Sequence, residues 1–109
     1  MKEGIEILKN GPVHISVPAF SGIYLLNVDN IIRLEAFNQY TYITMKDHKR
    51  LCIAKRLSYF DRKLRSAGFI RCHPDHLVSS NWVEKISPGK LYLVSGDEIV
   101  ISRKKIAGF

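Results

Sequence analysis

The chain has 109 residues, 46% hydrophobic and 25% charged, which suits one small soluble domain. No apolar run approaches the ~20 residues of a membrane helix, and Lys2 and Glu3 lead into no long apolar stretch, so neither a membrane span nor a signal peptide is expected and the cytoplasm is the expected compartment. The net charge of +7 is concentrated, with nine Lys/Arg and two Asp/Glu in residues 46–71, and a basic concentration of this kind is the electrostatic footprint of a polyanionic partner.

Residues 1–11 read as a lead-in arm that ends at Asn10-Gly11-Pro12. A single domain is expected over residues 12–109. Val13-His14-Ile15-Ser16-Val17 alternates apolar and polar residues, as a half-buried strand does. Pro18 is expected to end it, because proline cannot donate to a sheet ladder. After the turn Phe20-Ser21-Gly22 comes a second strand, Ile23 to Leu26. Val28-Asp29-Asn30 turns the chain or forms a single helical turn.

Ile31 to Ala36 is the third strand, with a polar tip at Asn38-Gln39, and Tyr40 to Met45 is the fourth, rich in aromatic and β-branched residues. Lys46 to Lys49 makes a hairpin loop, and Arg50 to Ala54 returns as the fifth strand. The period then changes. Leu57, Phe60, Leu64 and Ala67 lie three or four residues apart and predict one helix over 57–67. Its basic second half suits the helix dipole, and Gly68 suits its C-terminal cap.

Ile70 to Val78 reads as a strand interrupted by Pro74, and Trp82 to Ile86 as a short strand or turn. Leu91 to Val94, the turn Ser95-Gly96-Asp97, and Glu98 to Ser102 predict a last hairpin. Arg103-Lys104-Lys105 follows it directly. The fold class is therefore mainly β, built of short antiparallel strands with one helix.

Chemistry is densest between Phe69 and Val83. Cys72, His73 and His76 invite a metal reading, but no second ligand pair stands at zinc-like spacing, and adjacent Cys72 and His73 point to opposite faces of a strand. Ser79, Ser80, His73, His76 and Asp75 supply the side chains of acyl transfer, yet no Gly-x-Ser-x-Gly elbow and no glycine-rich oxyanion loop accompany them. Glycine spacing for a phosphate loop is also missing. No metal, no cofactor and no enzymatic activity are expected. Cys52 and Cys72 are expected as free thiols.

A nucleic-acid surface accounts for more of these residues. Asn38 and Gln39, the segment Arg71 to Asn81, and Arg103 to Lys105 fall at strand ends and loops. Arginine bonds guanine in two places, and asparagine or glutamine does the same for adenine. Histidine, serine and lysine hold phosphates and set the register.

Four blocks of the chain resemble the LytTR-type DNA-binding domain, the output module of many bacterial response regulators. They are Ile31-Ile32-Arg33-Leu34-Glu35-Ala36 with Tyr40, Ala54-Lys55-Arg56-Leu57 to Leu64, Phe69-Ile70-Arg71-Cys72-His73 to Val78, and the hairpin ending Ser102-Arg103. Their order and spacing match over roughly residues 12–106. The resemblance implies an elongated arrangement of small antiparallel sheets with one or two short helices, whose loops enter successive major grooves of duplex DNA. It implies base reading by Asn38, Gln39, Tyr40 and Thr41, by the segment His76 to Asn81 (including Ser79), and by Arg103 beside Lys104. Lys55, Arg71 and His73 are implied as phosphate contacts or supports of the reading loop.

Three departures stand out: Pro74-Asp75 where the family commonly has Arg-Ser, Ser79 where it has Asn, and Arg56 where it has a Ser/Thr cap. The resemblance further implies a transcription regulator working in a two-component system. Its partners would be duplex DNA, a second copy on an adjacent half-site, and a receiver domain or upstream kinase lying outside this chain. Two other readings stay open on the residues alone. One is a single-stranded nucleic-acid binder that stacks bases on Tyr40, Tyr42 and Tyr59. The other is a protein-interaction module that pairs through its strand edges.

Overall fold

A computed structural model describes residues 5–7 and 13–101. Its described residues form three antiparallel sheets and one α-helix. The first sheet is β1 (Ile5–Ile7), β2 (Val13–Ala19) and β3 (Gly22–Asn27), in that order. A 3-10 turn, Val28–Asn30, leads out of it; the Asn27 side chain caps that turn by accepting from the Asp29 N–H at 2.9 Å.

The central sheet collects β4 (Ile31–Phe37), β5 (Tyr40–Met45) and β6 (Arg50–Ile53). After α1 (Leu57–Leu64) and a 3-10 turn at Arg65–Ala67, it adds β7 (Phe69–His73) and β8 (His76–Ser79). Its strand order is β6-β5-β4-β8-β7. A third 3-10 turn, Ser80–Trp82, leads to the third sheet of β9 (Val83–Ser87), β10 (Lys90–Leu93) and β11 (Glu98–Val100), with β10 in the middle. The molecule measures 42 × 34 × 24 Å, longer than it is thick.

Two apolar cores lie on opposite faces of the central sheet. The first joins Ile15, Val17 and Leu26 of the first sheet to Leu34, Ile43, Leu77 and the helix residues Leu57, Phe60 and Leu64. Phe60 is fully buried there, and its truncation to alanine would cost ~3–5 kcal/mol. The second core joins Ile32, Cys72 and Val78 to Leu91, Leu93, Ile99 and Ile101.

The central sheet has two bulges, and the one on β4 makes this division possible. The β4–β5 register slips between Ile31 and Arg33, and the β7–β8 register slips between Arg71 and His73. Each slip leaves one residue out of the ladder. Those residues are Ile32 and Cys72, and both enter the second core. Burial pushes the Cys72 thiol up to about 11, which makes it inert beside the exposed Cys52.

Two sequence expectations need correction. Pro18 does not end its strand; it pairs with Ile23 inside β2. It is tolerated because β1 pairs only with Val13 to Ile15, so no β1 residue needs a donor at Pro18. Ile5–Ile7, inside the expected lead-in arm, is an edge strand on β2; three residues are too few for alternation to register. Pro74 interrupts Ile70 to Val78 as expected: β7 and β8 are separate strands joined by the Pro74-Asp75 turn.

Gly68 closes the helical segment with φ 82, as expected. Its amide carbonyl accepts from the Ser80 N–H at 3.0 Å, and a Cβ here would lie 3.2 Å from the Ser80 hydroxyl. Gly68→Ala should therefore lower the unfolding free energy by ~1–2 kcal/mol, through left-handed strain and that contact. Urea unfolding measures this, and an unchanged midpoint would contradict it.

Candidate nucleic-acid interface

Sheet topology brings three connections to one end of the central sheet. The Asn38-Gln39 turn closes the β4–β5 hairpin, with Phe37 opposite Tyr40. Asn38 sits at φ 55, a conformation asparagine tolerates better than most residues. Because β8 starts opposite Glu35, with His76 as its partner, the Pro74-Asp75 turn lies at the same end. The Ala36 N–H donates to the Asp75 carbonyl at 2.9 Å and ties the two turns together. The third connection is Ala54-Lys55-Arg56. It arrives here because β6 ends with Ile53 opposite Thr41.

Several residues hold this end in shape. Thr41 is fully buried, and its hydroxyl donates to the Lys55 carbonyl at 2.7 Å. Arg71 donates through Nε and Nη2 to the Pro74 carbonyl, at 3.2 and 2.6 Å. Its Nη1 pairs with Asp61 of the helix at 3.0 Å. One guanidinium thus ties the turn to α1, in the two-pronged geometry arginine is built for. The Asp75 N–H donates to His73 Nδ1 at 3.0 Å.

Among the residues expected at the interface, Asn38, Gln39, Tyr40 and Lys55 are exposed at this end, and His73 is half-buried beside them. Arg56 is exposed next to Lys55 and was missed as a contact candidate. The signal was the replacement of a helix-capping Ser/Thr by a cation; its side chain makes no cap hydrogen bond.

Other expected residues lie elsewhere. Thr41 does not reach the surface. Ser79 is 5% exposed, so it is poorly placed to meet a base edge. Asn81 is exposed, but it lies past the opposite end of β8, on the Ser80–Trp82 turn. Arg103 and Lys104 lie outside the described residues. The stacking set is divided too: Tyr40 is 46% exposed, whereas Arg50 covers the Tyr42 ring at 4.4 Å and Lys63 covers the Tyr59 ring at 4.7 Å.

The basic stretch is partly consumed inside the fold. Arg50 pairs with Glu35 at 3.2 Å, Lys63 donates to the Ser16 carbonyl at 3.1 Å, and Arg65 and Arg71 both face Asp61. Lys46, Lys55, Arg56 and Arg62 have no acidic partner among the described residues.

His76 sits beside His73, with ring centroids 5.3 Å apart. Among the described residues no group of three His, Cys, Asp or Glu forms around them that could hold a metal ion. Desolvation by burial pushes the His76 imidazole below its ordinary value; Glu35 opposes this, and His73 adds to it. Nδ1 of His76 is buried without a hydrogen-bond partner among the described residues, so a second proton there would gain no acceptor.

A folded-state value below the unfolded one favours the neutral ring in the fold. The associated stability is present above the unfolded value near 6.5 and is lost as pH falls below it. Unfolding free energy should therefore decline as pH drops through that range, and His76→Gln should flatten the decline. Equal pH dependence in the two proteins would contradict the assignment.

An end of the sheet that offers amide side chains together with cations that have no acidic partner among the described residues is suited to a nucleic-acid backbone and its base edges. The family model for the LytTr DNA-binding domain matches residues 21–109, so the chain belongs to the LytTr DNA-binding domain family. A solved LytTr DNA-binding domain from Bacillus cereus, from a protein described as a methyl-accepting/DNA response regulator, has the same fold. Its TM-score is 0.73 at 22% identity, over 91% of this chain and 94% of that one. No curated protein matches this chain. No helix of the described residues is long and apolar enough to cross a membrane.

Proposed function

We propose that residues 12–109 form a sequence-specific duplex-DNA-binding module of a transcription regulator, which enters successive major grooves with its loops and catalyses no reaction. The observation that carries this is the joined end of the central sheet, where exposed Asn38, Gln39 and Tyr40 stand beside Lys55 and Arg56. Asn38 and Gln39 read base edges, adenine above all. Lys55, Arg56 and His73 hold phosphates. Arg71 and Thr41 position the turns rather than touch DNA, which fits their internal bonds, and His76, half-buried beside His73, does the same.

Asn81 serves a second contact, together with Arg103 and Lys104, and Ser79 supports its turn. The 42 Å long axis exceeds the ~34 Å between successive major grooves, so one domain is long enough to reach both. The family resemblance supports a second copy on an adjacent half-site and control by a receiver domain or upstream kinase.

Selection from a random duplex pool should enrich a short motif, and the enriched duplex then serves for titration. With ~6–10 phosphate contacts, affinity should fall ~10³–10⁵-fold between 50 and 200 mM salt. Lys55→Ala should weaken all sequences about equally. Asn38→Ala, Asn81→Ala and Arg103→Ala should each cost ~1–3 kcal/mol and relax preference at one base pair. Tighter binding to single-stranded oligonucleotides would favour the stacking alternative. Salt-insensitive, unselective binding would overturn the proposal.

A further inference from the structure

The chain carries a surface outside the proposed DNA interface. β3 is an edge strand of the first sheet. Edge strands are normally protected by lysine, proline or a bulge; β3 has none of these. Its hairpin is instead apolar and open. Phe20 at the turn is completely exposed, and Ile23, Tyr24 and Leu25 are 59, 41 and 67% exposed. Between Pro12 and Ile32 the only formally charged residue is Asp29, in a chain of net charge +7. Two like-charged copies meet at least electrostatic cost through such a surface.

We infer that β3 is a self-association edge, on which a second copy of the chain pairs its own β3 antiparallel about a two-fold axis at Tyr24. The register follows from the hairpin. Phe20-Ser21 is a two-residue loop closed by the pair Ala19–Gly22, which makes that closing pair hydrogen-bonded. Alternation then leaves Pro18–Ile23 unbonded and bonds Val17–Tyr24. Pro18, which has no N–H, fits the unbonded place.

The amide and carbonyl groups of Ile23 and Leu25 therefore point to the free side. A two-fold at Tyr24 sets Ile23 of each copy against Leu25 of the other, so these groups pair and the apolar side chains meet on one face.

The same geometry accounts for Phe20. Gly22 of one copy stands opposite Leu26 of the other. Phe20 then lies two residues further along, level with Val28. Beside that level, next to the β3 edge, is a recess of about 730 Å³ lined by the apolar Leu26, Met45 and Leu51 and by the polar Asn30, Lys46, Asp47 and Lys49. The ring of Phe20 has a receiving site there, repeated by symmetry, with the Lys46 ammonium near its face. The two recesses, with their lysines, fall at opposite ends of the pair. A six-residue edge is small against the ~800 Å² per partner of a standard interface, so the association is weak and concentration-dependent.

The test contains no DNA, so its failure leaves the DNA reading intact. Tyr24→Cys is made in a Cys52→Ser background and oxidised with oxidised glutathione at high protein concentration. Across the two-fold the Cα atoms of an unbonded pair lie ~4.5 Å apart, within disulfide reach. Two copies of Ile23→Cys in the same background are displaced by two residues along the strands, ~7 Å or more, and are out of reach.

The expected result is a disulfide dimer from Tyr24→Cys at least ~10-fold faster than from Ile23→Cys, with the excess removed by adding Leu25→Lys. Sedimentation of the unmodified chain should show mass rising with concentration, and Leu25→Lys should abolish the rise. Equal cross-linking at the two positions, or a monomer at every concentration, overturns the inference and leaves the edge to a different partner.

Discussion

β4 belongs to two cores at once, and the rest of the structure follows from how it manages this. Ile31 and Leu34 face the helix and the first sheet, while Ile32, between them in sequence, faces the third sheet. Strict alternation would put Ile32 and Leu34 on the same face. The bulge at Ile32 breaks the alternation once, whereas on β7 Ile70 and Cys72 keep it, both against the second core. Central strands buried on both faces read as continuous apolar runs, which is how Ile31-Ile32 reads.

This arrangement also fixes the ends of the central sheet. With both faces covered in part, the sheet cannot slide, and its turns are held in register. The Asn38 turn, the Pro74 turn and the approach to the helix are then joined by three short bonds: Ala36 to Asp75, Thr41 to Lys55, and Arg71 to Pro74. A surface preorganised in this way loses less conformational freedom on binding than a free loop does. Pro74-Asp75, the part of the chain that departs most from the family pattern, is also the most heavily tied. Proline stiffens a turn whose carbonyl already serves Arg71.

Strands with clean alternation or with aromatic and β-branched runs, such as Tyr40 to Met45, were legible in the sequence. So were the helix with its Gly68 cap and the apolar Leu91 to Val94 stretch. Pro18 was misread because whether a proline breaks a strand depends on which neighbour is present, a tertiary fact. Thr41 and Ser79 have side chains ordinary at a polar surface, and nothing local marks them as buried; Lys55 and Phe69, their structural neighbours, lie 14 and 10 residues away in sequence. The basic stretch overstated the surface charge for the same reason. Its pairing with Glu35 and Asp61 depends on strand order and helix docking, which composition does not contain. Arg103 and Lys104 rest on the sequence argument.

Backbone amide shifts followed by NMR as the selected duplex is added report most directly on where DNA sits. The largest changes should fall on residues 38–40, 55–56, 73–76 and 80–82, with β3 and the outer face of the helix unmoved. Changes centred on residues 20–26, or spread evenly over the domain, would contradict the placement of the interface at the joined end of the central sheet.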